Sequence, residues 1–183
     1  MKTRVFETIH TLNKTKEIKK MKNKNIFYLS QAAMIAALYV VLTFIANAFG
    51  LASGNPQVRL SEALTILPFF TPAAIPGLTI GCLLSNWLTG CAILDIIFGT
   101  AATLIGAVLT WALRRFPWLA PLPPVAANTI IVPWVLRFAY QMEGAIPVLM
   151  LSVGIGEIIS CGVLGMILLL SLQKFGKNIF KPD

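Results

Sequence analysis

Residues 59–95 read RLSEALTILPFFTPAAIPGLTIGCLLSNWLTGCAILD, and the fold turns on this stretch. It is almost wholly apolar, yet it carries Arg59, Glu62, Asn86 and Asp95 and is punctured by Pro68, Pro72 and Pro76. In a soluble protein these would be ordinary loop residues. Here the flanking sequence is lipid-like, and an ionisable side chain in that setting needs a buried partner or a watery cavity. The stretch therefore reads as part of a small membrane-embedded binder whose site these residues help to build.

Composition outside the stretch agrees. The 183 residues are 57% hydrophobic and 12% charged, against roughly 25% charged in a soluble domain, and mean hydropathy is +0.79. At about 20 apolar residues per spanning helix, the chain holds five or six spans and little else. Residues 1–24 carry eight of the fifteen Lys and Arg. Beside a transmembrane helix such a tail reads as a cytoplasmic flank against anionic lipid, not as a nucleic-acid arm. The three cysteines, Cys82, Cys91 and Cys161, lie in apolar runs and read as small buried hydrophobes rather than a disulfide framework. The single histidine, His10, lies in the tail, so inventory alone excludes a zinc site or a His-dependent triad in the core.

Three regions result: a basic tail over 1–24, a transmembrane domain over 25–175 and a short C-terminus over 176–183. The first span is 28–49; its Ala46-Asn47-Ala48 resembles a signal cleavage site, but the apolar run is too long for a signal peptide. Its Ala32, Ala33, Ala36 and Ala37 form two overlapping small-xxx-small pairs, fit either for packing within the protein or for docking a partner. A Gly/Pro/Asn-rich loop covers 50–59. Residues 60–90 would measure about 46 Å as one helix, so the prolines predict a short second helix and a third over about 74–88. The fourth spans 92–113, the fifth 117–140 and the sixth 145–172. With six spans and both termini cytoplasmic, thirteen basic residues fall inside and only Arg59 and Arg137 outside, which the positive-inside rule prefers over five spans. The expected fold is an all-α bundle of six transmembrane helices.

In that topology Glu62, Asn86 and Asp95 lie toward the outer ends of their helices, and Glu157 and Asn128 lie near the midplane. Arg59, Asp95 and Arg137 are as compatible with structural roles, such as a Glu62–Arg59 rim ion pair, as with a site. Glu157 argues for function, because a midplane carboxylate is expensive without one. Trp87, Trp134, Phe138 and Tyr140 are candidate stacking surfaces. The chain has no GxSxG, P-loop, HExxH or aspartate-dyad motif, so an enzyme is not expected. A small membrane binder and an ion-coupled secondary transporter both remain open on these grounds.

The segments VRLSEALTILPFFTPAAIPGLTIGCLLSNWLTGCAILDIIFGTAATLIGA, WLAPLPPVAANTIIVPWVL and VGIGEIISCGVLG resemble the QueT family of substrate-binding S components of energy-coupling factor (ECF) transporters. The resemblance covers about residues 21–175. It implies a six-helix bundle in a prokaryotic plasma membrane with a loop, here about 50–59, over an outward-facing pocket. The implied partners are a transmembrane coupling protein and two ATP-binding cassette ATPases, so ATP is used by partners and this chain needs no cofactor or metal. Ala32, Ala33, Ala36 and Ala37 map to the docking face. The implied cargo is a queuosine precursor, a deazaguanine base. Carboxylates suit its neighbouring N–H donors and an aminomethyl substituent, which makes Glu62, Asp95 and Glu157 candidate acceptors. Asn86 serves in either sense, Arg59 completes the polar set and Trp87 is a candidate cover for the ring. A different vitamin and a stand-alone ion-coupled transporter are the alternatives.

Overall fold

Proline removes a backbone donor and clashes with the preceding turn, and in the computed structural model the 59–95 stretch breaks at Pro72 into helices of different kinds, with Pro68 near the end of the first and Pro76 in the first turn of the second. Leu60–Phe69 is a 3₁₀ helix; Ala74–Leu88 is an α-helix. The structure describes residues 2–51, 58–175 and 180, with the backbone alone for 2–20 and 175. In chain order, α1 is Lys2–Ala48, α2 is Ala74–Leu88, α3 is Ile93–Ala112 and α4 is Leu122–Phe138. A single 3₁₀ turn, Pro117–Leu119, leads into α4. α5 (Ile146–Glu157) and α6 (Gly165–Phe175) are joined without a break by a π-helical stretch, Ile158–Leu164. No strand occurs among the described residues.

The 3₁₀ helix is the axis of the bundle. Ten residues rise about 20 Å at 2.0 Å per residue, against about 15 Å in an α-helix, so this short segment crosses much of the apolar layer. Ser61, Glu62, Leu64, Thr65, Ile66, Leu67 and Pro68 are all buried along it. It packs against α1, α2, α3, the π stretch and α6. The helices α1 to α5 lie side by side in sequence order, and the π stretch and α6 close the bundle onto the 3₁₀ helix. Ile35, Tyr39, Leu64, Ile66, Leu78 and Leu169 fill the core around it.

The α1–α2 seam shows why the small residues recur. A Cβ added at Gly77 would lie 2.8 Å from the Ala32 carbonyl oxygen, and one at Gly81 would lie 2.7 Å from Tyr39 Cβ and 3.1 Å from Ala36 Cα. Ala32 and Ala36 are buried there, whereas Ala33 and Ala37 face outward.

Four helices are long and apolar enough to cross a membrane, Met21–Ala48, Ile93–Ala112, Pro117–Phe138 and Ile146–Lys174; Leu60–Phe69 and Ala74–Leu88 are apolar but shorter. The expected helix limits fit closely for α2 and α3. Two differ. The helix that holds the first span does not begin near 28: α1 runs unbroken from Lys2 for 47 residues, about 70 Å, well beyond the roughly 30 Å hydrocarbon layer. The sixth contains the π stretch, which no sequence signal announces. Most of the expected loop over 50–59 and of the C-terminus over 176–183, namely residues 52–57, 176–179 and 181–183, lies outside the described residues.

Candidate functional site

Chain direction brings the ends of α1, α2 and α4 together with the starts of the 3₁₀ helix, α3 and α5. A cavity of about 440 Å³ opens at this end, lined by Tyr39, Thr43, Ala46, Asn47, Arg59, Ser61, Asn86, Thr89, Cys91, Asp95, Leu136, Tyr140 and Met142. Its size falls within the range of small-molecule pockets, roughly 300–1,000 Å³.

Asp95 is its most constrained group. It sits in the first turn of α3, where exposed N–H groups and the helix dipole favour a carboxylate. Arg59 Nη2 lies 3.7 Å from Asp95 Oδ2, and the Tyr140 hydroxyl donates to the same oxygen at 3.0 Å. The Ala92 N–H donates in turn to the Tyr140 hydroxyl at 3.2 Å. Partial burial and the Asp95 carboxylate hold that hydroxyl protonated well above the ordinary phenol range. Asp95 Oδ1 is buried without a hydrogen-bond partner. Gly99 makes room beside it: a Cβ there would lie 3.1 Å from Asp95 Oδ1 and 3.3 Å from Asn86 Nδ2. The α4–α5 turn carries Tyr140 and Met142 to the cavity and is pinned by Arg137, whose Nη1 donates to the Met142 carbonyl at 3.0 Å.

A second polar cluster lies behind the cavity wall. The Tyr39 hydroxyl donates to Glu62 Oε1. One ligating atom each from Glu62, Glu157 and Cys161 lie within 4.8 Å of one another. The Cys161 thiol is 3.2 Å from Glu157 Oε2 and 3.4 Å from the Glu62 carbonyl oxygen. Thr65 Oγ1 donates to that carbonyl at 2.6 Å. Asn128, from α4, reaches toward both carboxylates.

The sequence-predicted residues therefore separate. Arg59, Asn86 and Asp95 come together on the cavity. Glu62 and Glu157 come together with each other, but neither lines the cavity; Tyr39 and Ser61 stand in front. The expected Glu62–Arg59 rim pair gives way to Arg59–Asp95, because Glu62 points into the bundle and is 1% exposed. Trp87 is 66% exposed and absent from the cavity wall: one position after Asn86, it lies about 100° further round α2. Tyr140 alone among the expected stacking aromatics reaches the site, while Trp134 and Phe138 stack on each other, with centroids 6.2 Å apart, in an apolar outer groove. Sequence reasoning missed Tyr39, Thr43 and Asn47, although their spacing of four puts them on one face of α1.

A protein-family model described as the QueT transporter matches residues 29–174, most of the chain and all of the cavity-lining elements. The chain belongs to the QueT transporter family. Over 85 residues it is 36% identical to the queuosine precursor transporter QueT of Lactococcus lactis subsp. cremoris (strain MG1363), an alignment covering 46% of this chain and 50% of that relative. The matched segment thus spans half of the relative's length. No solved structure matches. With a transporter family, four membrane-capable helices and a polar cavity at one end of the bundle, this is a multi-pass membrane protein.

Proposed function

We propose that the protein is the substrate-binding S component of an ECF-type importer and that it captures a queuosine precursor, a deazaguanine base, in the cavity at Asp95. The observation that carries this reading is the unpartnered Asp95 Oδ1, buried beside Asn86 on the wall of the cavity. A buried carboxylate oxygen left without a donor costs free energy, and a guanine-like edge supplies adjacent N–H donors to it. Asn86 offers one further donor and acceptor. Arg59 and Tyr140 hold the other Asp95 oxygen and so fix the carboxylate plane. The name of the Lactococcus relative points to the same cargo.

Reorientation and release are driven by partners: a transmembrane coupling protein and two ATP-binding cassette ATPases, in a prokaryotic plasma membrane. This chain supplies binding and no catalysis, cofactor or metal. Of the four alanines expected to dock the coupling protein, Ala33 and Ala37 remain on the outer face of α1, next to the exposed Met34 and Leu38. Ala32 and Ala36 are taken up by α2.

Calorimetry on the purified protein against deazaguanine bases, guanine and common vitamins tests the cargo. One-to-one binding of a deazaguanine without ATP or an ion gradient is expected. A hit confined to another vitamin would change the substrate. Uptake that persists in cells lacking the coupling module would replace the ECF mechanism with a stand-alone transporter.

A further inference from the structure

Three carboxylates are buried in the bundle, Glu62, Asp95 and Glu157. Among the described residues, every Lys and Arg side chain is exposed except Arg59, which is 23% exposed and paired with Asp95. Glu62 and Glu157 therefore lie together in the apolar interior with Arg59 as their nearby cation, and Arg59 is already paired with Asp95. Two like charges so close and so poorly solvated do not coexist: either one carboxyl keeps its proton or something positive joins the pair.

The local geometry says what would fit. Glu62 Oε2 is buried without a hydrogen-bond partner in a side chain 1% exposed. Glu157 is 7% exposed, with the Cys161 thiol donating to its Oε2 and Asn128 reaching toward the carboxylate. The group that belongs here is a compact cation with several N–H donors. A primary ammonium presents three. A metal ion would require the Cys161 thiol as a thiolate ligand, whereas an ammonium needs only the two carboxylates and leaves the thiol as the donor it already is. The setting is also irregular on both sides: the 3₁₀ helix carries Glu62, and the π stretch begins directly after Glu157. π-Helical insertions concentrate at functional sites. Tyr39 links this cluster to the cavity: it lines the cavity and donates to Glu62 Oε1.

We infer that the Glu62–Glu157 pair is a recessed subsite for a protonated amine on the cargo, reached from the cavity by displacement of Tyr39. The inference rests on the cavity being the cargo site. The ammonium would take the place of the Tyr39 hydroxyl at Glu62 Oε1, give Glu62 Oε2 its missing donor and direct a further N–H at Glu157. The ring would stay at Asp95 and Asn86.

The test is calorimetry with a matched pair of deazaguanines, one bearing an aminomethyl group and the other a neutral nitrile at the same position. Wild type is expected to prefer the amine by about tenfold or more, the scale of a buried charge pair. That preference should collapse toward unity in both Glu157→Gln and Glu62→Gln, with nitrile binding reporting that each variant is folded. An unchanged preference in both variants would overturn the subsite, as would a wild type that binds both ligands equally. Stoichiometric metal in the purified protein that disappears in Glu157→Gln would also overturn it, assigning the pair to an inorganic cation. A wild type that binds neither deazaguanine would instead sink the reading of the cavity, and the subsite with it.

Discussion

Where α1 crosses α2, glycines and alanines press backbone against backbone, and a Cβ added at Gly81 would lie only 2.7 Å from Tyr39 Cβ. Where the 3₁₀ helix meets the π stretch, the backbones are irregular and two carboxylates sit between them. Tyr39 belongs to both regions: its Cβ closes the seam at Gly81 and its hydroxyl reaches Glu62. The seam is regular and closely packed, as van der Waals association of helices in lipid requires. The junction keeps a buried oxygen, Glu62 Oε2, without a partner. Tight packing of small residues fixes the framework, and the polar deficit is concentrated where a ligand can relieve it.

The largest effect should come from filling the seam. Gly81→Leu forces a side chain into Tyr39 and the α1 backbone, and overpacking of this kind costs about 1–3 kcal/mol or more. Melting in detergent should show a strongly destabilised or unfolded protein; an unshifted melting temperature would mean that the seam yields and is not the framework.

The next contrast divides two adjacent positions on α1. Ala36→Trp should destabilise on the same scale as filling the seam, because Ala36 is buried beside Gly81. Ala37→Trp, on the exposed face, should change stability by no more than about 0.5 kcal/mol and yet abolish co-purification with the coupling protein. Equal melting of the two variants would erase the distinction between the inner and outer faces. Undiminished co-purification of Ala37→Trp would rule out docking there.

Asp95→Asn moves the comparison to the cavity. It leaves Arg59 without its counter-charge and removes an acceptor, so ligand affinity should fall about tenfold or more with the α1–α2 seam intact. Calorimetry alongside melting separates the two quantities, and full affinity would take Asp95 out of the site. Trp87→Ala should do least. At 66% exposure and off the cavity wall, it should alter affinity by less than about twofold. A large loss would restore the ring-covering role expected from the sequence.

How much was legible can be read from particular residues. Gly77, Gly81 and Ser85 at a spacing of four announced the buried stripe of α2, and Pro68, Pro72 and Pro76 announced the break before it. The charge-bearing positions Arg59, Glu62, Asp95 and Glu157 were legible as out of place in apolar sequence, and all lie on one or other of the two polar clusters. Their partners were not. Arg59 is three residues from Glu62 in the chain but pairs with Asp95, 36 residues away, because the 3₁₀ helix turns Glu62 inward and leaves Arg59 at the cavity. Tyr39 was hidden for a different reason: within an apolar span, a tyrosine looks like any other large core residue until its hydroxyl has a partner.

Sequence by itself determined that this is an all-helical membrane protein, where its helices break and which residue types are too polar to be idle. These are local properties, set by hydropathy, proline chemistry and the spacing of small side chains. Only the tertiary structure decided that the polar residues form two groups with Tyr39 between them, and that two of the four alanines face inward. Those facts depend on helix rotation and on the 3₁₀ and π geometries. Such geometries are selected by packing across the whole bundle and leave no periodic mark on the chain.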